Sequence, residues 1–216
     1  MADNDIKQHV QNALDWEPSL DAKDIFVSVD EGVVTLHGTV ASFSEKMTAE
    51  RVALRVYGVK AVANDLIVHL ATGFERSDTQ IAQAAVAALT WNSVVPHDRV
   101  TVAVADGSIT LSGTVNWNYQ RDAVARATRD LRGVKGIINN IIVQPVVRTA
   151  VVRDEIEAAF KRSAEVDARR ITITSRDGKI TLSGNVHSWA ERQAAERAAW
   201  GAPGVTQVED RLVVVP

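Results

Sequence analysis

The chain contains no cysteine among its 216 residues. Disulfide bonds and metal sites built on thiolates are therefore excluded. The stretch from Met1 to Asp5 has neither a basic start nor an apolar core, so it does not look like a secretory signal. No apolar run approaches the roughly 18 residues that a membrane-spanning helix requires. These absences together predict a cytoplasmic protein.

The chain also lacks a strong excess of one charge, because its net charge is −3. Binding to nucleic acid is not expected, since affinity for a phosphate backbone depends on a surplus of lysine and arginine. The charge is uneven, however. Residues 1–75 have 6 Lys or Arg and 12 Asp or Glu, a net charge of −6, whereas residues 76–146 have 7 and 5, and residues 147–216 have 11 and 10. The middle third, at +2, is therefore the part that an anionic surface should attract.

Residue patterns of known catalytic sites are missing as well. The sequence has neither Gly-x-Ser-x-Gly nor Gly-x-Gly-x-x-Gly, the patterns of a nucleophile elbow and of a dinucleotide site. No histidines form a His-x-x-x-His pair, and the five lie at unrelated positions: His9, His37, His69, His97 and His187. We therefore predict that the protein is not an enzyme and uses no metal and no cofactor.

What the sequence does have is an internal repeat, which its glycines reveal. Three glycines recur with a shift of 75 residues and then with a shift of 71: Gly32, Gly38 and Gly58, then Gly107, Gly113 and Gly133, then Gly178, Gly184 and Gly204. The apolar residues between them follow the same shifts, so the three copies align without a gap. We predict three modules, at residues 1–72, 76–146 and 147–216.

Each module begins with a helix and a hairpin. In the first copy, Ile6, Val10 and Leu14 are spaced four residues apart and share one helical face. Two alternating strands follow, joined in this copy by Glu31-Gly32 and in the others by Asp-Gly. Such a pair between alternating runs predicts a tight hairpin, because glycine accepts a positive φ.

A second helix and a last strand complete the module. Ser42 and Ser188 begin capping boxes for this helix, and a glycine such as Gly58 ends it. The predicted fold class is α+β, with three tandem αββαβ modules, each a small three-stranded mixed sheet with two helices on one face. The pattern leaves open whether the third strand lies beside the second or beside the first. Gly38 lies on the apolar side of the second strand, where we expect it to let a helix approach closely.

These features in combination resemble the BON domain. They are the hairpin, the strand Thr-Leu-Ser-Gly or Thr-Leu-His-Gly, the alanine-rich helix, Gly-Val, and an Asn or Asp six residues after that glycine. The resemblance covers about residues 5–70, 80–145 and 151–215. It implies a bacterial module without catalysis, commonly exported, linked to osmotic or envelope stress, and in contact with phospholipid. The third copy departs from the others, with Asp210 in place of Asn64 and Asn139, and Arg162 in place of Trp16 and Trp91.

Aromatic and basic residues single out the second copy. Trp117 and Tyr119 lie where its second strand passes into its second helix, and both a core role and an exposed aromatic tip fit this position. A basic helix follows them, which together with exposed aromatics is typical of binding to an anionic membrane surface. The candidate lipid contacts are therefore Trp117, Tyr119, Arg121, Arg126, Arg129, Arg132 and Lys135. Trp16 and Trp91 are instead expected to cover one end of their cores.

Two further sets of residues recur in all three copies. Ile67, Ile142 and Val213 alternate outward on the last strand, so we predict that they contact another repeat or a protein partner. Asn64, Asn139 and Asp210 open that strand, and either bond to the local backbone or coordinate a ligand.

The leading hypothesis is a non-enzymatic binding or scaffold protein that associates peripherally with anionic phospholipid, in osmotic or envelope stress. One alternative is a soluble sensor of a small ligand or cation, with its site at a domain junction. Another is a stress factor that binds only a protein partner.

Overall fold

The computed structural model describes residues 2–70, 73–144, 152–162, 166 and 169–215. Its first module contains α1 (Asp3–Asp15), β1 (Ile25–Asp30), β2 (Val33–Val40), α2 (Phe43–Leu54), β3 (Ala61–Asn64) and β4 (Ile67–Val68). The second contains α3 (Asp78–Trp91), a 3-10 turn (His97–Arg99), β5 (Val100–Ala105), β6 (Ser108–Val115), α4 (Asn118–Arg129) and β7 (Gly136–Val143). The third contains α5 (Val152–Arg162), β8 (Ile171–Arg176), β9 (Lys179–Val186), α6 (Trp189–Trp200) and β10 (Gln207–Val214). The predicted order and α+β class are confirmed.

The second strand of each module is the central strand of its sheet. The orders are β1-β2-β3, β5-β6-β7 and β8-β9-β10. In the first module β1 runs antiparallel to β2, with Ile25 opposite Gly38, and β3 runs parallel to it, with Leu36 opposite Asn64. The structure thus decides the strand order that the sequence pattern left open.

The last strand of the first module is interrupted, which gives this sheet four segments rather than three. Both segments pair parallel with β2 at the same offset, since Asn64 lies opposite Leu36 and Ile67 lies opposite Thr39. Between them Asp65 donates its backbone N–H to Leu36 O at 2.9 Å. The ladder therefore continues across the gap, and β3 and β4 act as one third strand.

The core of each module lies between the helices and the central strand. In the first module, the spacing of Ile6, Val10 and Leu14 brings them into one buried cluster with Val34 and Leu36, all at most 3% exposed. The third module repeats this cluster with residues from α5 and β9: Ile156, Phe160, Ile180 and Leu182. Burial of each such side chain contributes about 1.5–3 kcal/mol. The amphipathic pattern predicted from the sequence therefore places these residues correctly.

The glycine of each central strand has a different role from the one predicted. A Cβ on Gly38 would lie 1.9 Å from the carbonyl oxygen of Asp24, and φ of Gly38 is +115°. Thr39 donates its backbone N–H to the same oxygen at 3.1 Å. The close neighbour is thus the backbone that enters β1, not a helix. The other two modules repeat the contact at 2.0 Å, Gly113 with Arg99 and Gly184 with Arg170.

The hairpin turn is held by a helix residue that sequence reasoning missed. Glu31 and Gly32 have consecutive positive φ values of 49° and 81°, as a type I′ turn requires. Asp3, in the first turn of α1, accepts hydrogen bonds from their backbone N–H groups at 2.8 and 3.0 Å. Asp78 makes the same two bonds in the second module. Asp3 and Asp78 are 75 residues apart, the shift between the first two repeats, and this recurrence could have identified the aspartate from the sequence.

We expect Glu31→Asn to stabilise the protein. Glu31 occupies the left-handed region, which costs most L residues roughly 1–2 kcal/mol and asparagine less. The free energy of unfolding in urea should rise by about 0.5–1 kcal/mol. Asp106→Asn is the matched control, because aspartate already tolerates this conformation at the equivalent position. Equal gains from the two variants would contradict the explanation.

No α-helix within the described ranges is both long enough and apolar enough to cross a membrane.

Candidate lipid-contact surface

Trp117 occupies a position that is a helix cap in the other modules. The side chains of Ser42 and Ser188 accept hydrogen bonds from the backbone N–H three residues later, at 3.2 and 3.1 Å. An indole has no acceptor for this bond. The Gln120 side-chain oxygen accepts from the backbone N–H of Asn116 and Trp117, at 3.1 Å each. Glu45 and Glu191 accept the equivalent bonds from Ala41 and His187, so the second module keeps this half of the capping box and lacks only the serine half.

The aromatic pair at the start of α4 is partly exposed. Trp117 and Tyr119 stack with ring centroids 6.4 Å apart and are 39% and 55% exposed. They also form one wall of a cleft of about 580 Å3, with Trp200 and Arg197 of α6 among its other lining residues. Each of the two predicted lipid contacts therefore has one side turned to this cleft.

The basic residues of α4 point away from the core. The buried side of this helix consists of Ala123, Val124 and Thr128, so the exposed Arg126 lies on the opposite side. Arg129 is half exposed and pairs with Asp130 at 3.3 Å. The remaining cations, one before these two arginines and two after them, are at least partly exposed: Arg121, Arg132 and Lys135. Arg132 also stacks on Phe74, with its guanidinium 5.0 Å from the ring centroid.

The prediction that Trp16 and Trp91 cover their cores is wrong. They are 88% and 89% exposed. Each follows a buried leucine, Leu14 or Leu89, by two residues. Two residues correspond to about 200° around a helix, so the indole emerges on the side opposite the core.

The outward face of α3 differs from that of every other first helix. From Thr79 to His97 the chain has no Asp, Glu, Lys or Arg. Val86 is 55% exposed on this helix, and Trp91 ends it. By contrast, α1 and α5 carry exposed charged residues along their length. The exposed residues of this face are uncharged, and Val86 and Trp91 are the large apolar ones among them, which makes the face a candidate contact site. Sequence reasoning missed it because Trp91 was expected to cover the core.

The three apolar residues predicted as interface contacts lie on the open faces of their sheets. Ile67, Ile142 and Val213 are 66%, 64% and 57% exposed. Contact of these side chains with another repeat or with a protein partner stays a prediction.

Asn64 and Asp210 bond to their own module rather than pointing into solvent. Asn64 donates to Lys46 O at 3.0 Å, and its side-chain oxygen accepts from Leu66 N at 3.4 Å. Asp210 accepts from Leu212 N at 2.9 Å and from Arg192 at 2.6 Å. These residues therefore fasten the last strand to the second helix, which is the local-bonding interpretation.

Titratable side chains on the open sheet faces form small exposed networks. His37 lies 3.4 Å from Ser28 Oγ and 4.0 Å from the carboxylate of Asp65, and the side chains of His37 and Asp65 are both more than half exposed to solvent. In the third module, hydrogen bonds from Lys179 and Arg211 lower the pKa of Glu209 to about 2. Among the described residues no three His, Cys, Asp or Glu are grouped to hold a metal ion.

Known proteins share this module. The BON domain model matches residues 2–69, 77–145 and 148–216. Osmotically-inducible protein Y of Escherichia coli (strain K12) is 33% identical over 147 residues, which cover 65% of this chain and 72% of that protein. Two structures of CdsD, a structural protein of the Type III secretion system of Chlamydia trachomatis, align with TM-scores of 0.28 and 0.27. They share 15% and 14% identity and cover 98% and 100% of this chain and 93% and 100% of their own chains, a likeness too low to support an argument. Because the family model matches three consecutive segments that span nearly the whole chain, the protein belongs to the BON domain family.

Proposed function

We propose that this protein associates peripherally with anionic phospholipid membranes, through the helical side of its second module. The observation that carries the proposal is the charge-free outward face of α3, which ends in the 89% exposed indole of Trp91. The other helix of the same module, α4, turns Arg126 outward. An uncharged helix face with an exposed valine and indole, next to an outward arginine, is compatible with an interfacial membrane contact.

The expected energies are those of weak, salt-sensitive attachment. Each Lys or Arg near an anionic surface contributes about 1 kcal/mol, over a screening length of about 8 Å in physiological salt. Trp91 adds an apolar contribution when its indole leaves water. Residues 1–75, with a net charge of −6, should be repelled and face away from the membrane.

A role in osmotic or envelope stress is part of the same proposal. It is supported by the relationship to a protein that is osmotically inducible in Escherichia coli. A membrane whose tension or lipid packing changes under osmotic stress is a surface that a reversible, non-catalytic binding protein can monitor or support.

Trp91→Ser tests the apolar part of the surface. We expect binding of the full chain to phosphatidylglycerol vesicles, measured by co-sedimentation, to weaken by about tenfold in this variant. The reason is that the variant has no indole to move from water into the membrane. Trp16→Ser is the matched control, since Trp16 is equally exposed at the equivalent position of the acidic first module. Trp117 and Tyr119 remain predicted contacts, but they also line the cleft, so Trp91 is the sharper probe.

Neither the wild type nor the two tryptophan variants should bind appreciably to phosphatidylcholine vesicles. Equal losses from the two tryptophan variants, or no binding of the wild type to phosphatidylglycerol at low salt, would contradict the proposal. The soluble-ligand alternative would then be favoured.

A further inference from the structure

We propose that the cleft between the start of α4 and the end of α6 binds a small zwitterion that carries a quaternary ammonium group. The inference does not depend on membrane binding. It starts from the residues that line the cleft: Trp117, Asn118, Tyr119, Asp122, Arg197, Trp200 and Gly201. All of them belong to one compact unit of the chain, which comprises Asp98–Val100, Gly113–Asp122 and Ile141–Pro216. The volume of about 580 Å3 is in the range of small-molecule sites.

Three aromatic rings in one cleft favour a soft cation. The faces of Trp117, Tyr119 and Trp200 carry negative electrostatic potential, which attracts a cation within about 6 Å of a ring centroid. A quaternary ammonium has no N–H to donate, so it gains little from hydrogen-bond acceptors and much from aromatic faces. Sites rich in tryptophan and tyrosine are how proteins recognise this group.

The two charged residues of the cleft extend the ligand class to a zwitterion. Asp122 lies on the α4 wall, where Asn118 donates a hydrogen bond to its carboxylate at 3.2 Å, and Arg197 lies on the α6 wall. A quaternary ammonium is favoured near the carboxylate, and an anionic group on the same ligand is favoured near the guanidinium.

The aromatic residues of this cleft are absent from the equivalent positions of the other modules. Trp117 corresponds to Ser42 and Ser188, and Tyr119 corresponds to Ser44 and Ala190. At Trp117 the second module gives up a stabilising helix cap that both other copies keep. A local rule broken at one copy only is expected where a residue serves binding rather than folding.

The test is calorimetric titration of the full chain with trimethylglycine, phosphocholine and glycine. Trimethylglycine and phosphocholine share the quaternary ammonium and an anionic group, and they represent a free solute and a lipid headgroup. Glycine keeps the zwitterion but lacks the methyl groups. We expect at least one of the first two to bind at least about tenfold more tightly than glycine, because only their cations suit aromatic faces.

Trp117→Ser tests the site itself. This substitution restores the serine cap of the other modules, so the helix is expected to stay folded. Affinity for the quaternary ligand should fall by about tenfold, the loss of one partly desolvated cation–π contact. Trp16→Ser, which removes an exposed indole outside the cleft and outside the proposed lipid contact, should leave the affinity unchanged. The inference is overturned if glycine binds as well as both quaternary ligands, if none binds, or if Trp117→Ser binds as tightly as wild type.

Discussion

Substitution of alanine for Gly113 is expected to unfold the second module. A Cβ at this position would lie 2.0 Å from the carbonyl oxygen of Arg99, and φ of Gly113 is +132°. L residues rarely adopt that conformation, and the close atom belongs to backbone, so a side-chain rotation cannot relieve the clash. Backbone strain of about 1–3 kcal/mol and overpacking of a similar size together approach the roughly 3–5 kcal/mol that a core of this size supplies.

The measurement is urea denaturation of the full chain, with the loss of second-module amide signals in a two-dimensional NMR spectrum as the local readout. Gly136→Ala is the control in the same module. A Cβ there would have Ser108 Oγ as its nearest neighbour, at 3.4 Å, and Gly136 has no positive φ. This variant should change the free energy of unfolding by less than about 1 kcal/mol. A Gly113→Ala protein as stable as the Gly136→Ala protein would show that the chain entering β5 moves aside easily.

The double substitution Arg126→Glu/Arg129→Glu is expected to abolish binding to phosphatidylglycerol vesicles. It changes the charge of α4 by −4, and each unit of charge near an anionic surface is worth about 1 kcal/mol at most. Affinity should therefore fall by a factor on the order of 100 or more. Both residues lie opposite the buried side of the helix, so the fold is expected to be kept.

Arg51→Glu/Arg55→Glu is the matched control for this effect, because it also changes the charge by −4 and both arginines are exposed, at α2 and its C-cap. Arg51 is the residue of α2 that corresponds to Arg126, but it belongs to the module with net charge −6. The control should bind vesicles nearly as well as wild type, and the difference between the variants should shrink at high salt, where screening weakens surface charges. If Arg51→Glu/Arg55→Glu weakens binding as strongly as Arg126→Glu/Arg129→Glu, the attachment depends on the net charge of the chain and not on the second module.

Much of the fold could be predicted from the sequence because it depends on neighbours along the chain. The spacing of Ile6, Val10 and Leu14 identified the buried face of α1. A glycine after Glu31 or an aspartate predicted a tight hairpin, and the structure forms it with a positive φ at two consecutive residues. The serine at position 42 predicted the start of α2 through a bond that spans three residues.

The candidate site was less predictable, because exposure depends on residues that are distant in sequence. Trp91 was expected to cover one end of its core, although it lies two residues past Leu89 and thus on the far side of α3. The charge-free stretch that makes this face unusual is visible in the sequence from Thr79 to His97. Which residues of this stretch form an exposed surface is known only from the structure, because it depends on how α3 packs on its sheet.

The sequence alone therefore determined the repeat, the order of elements and the inner face of each helix, because these follow from local periodicity and turn chemistry. Only the tertiary structure decided that β2 and its equivalents are central, since a strand's own pattern does not name its neighbours. It also decided that Gly38 accommodates the Asp24 carbonyl, and that Trp117 and Trp200 line one cleft. Each of these contacts joins segments whose proximity arises from packing, and no periodicity within a single segment encodes it.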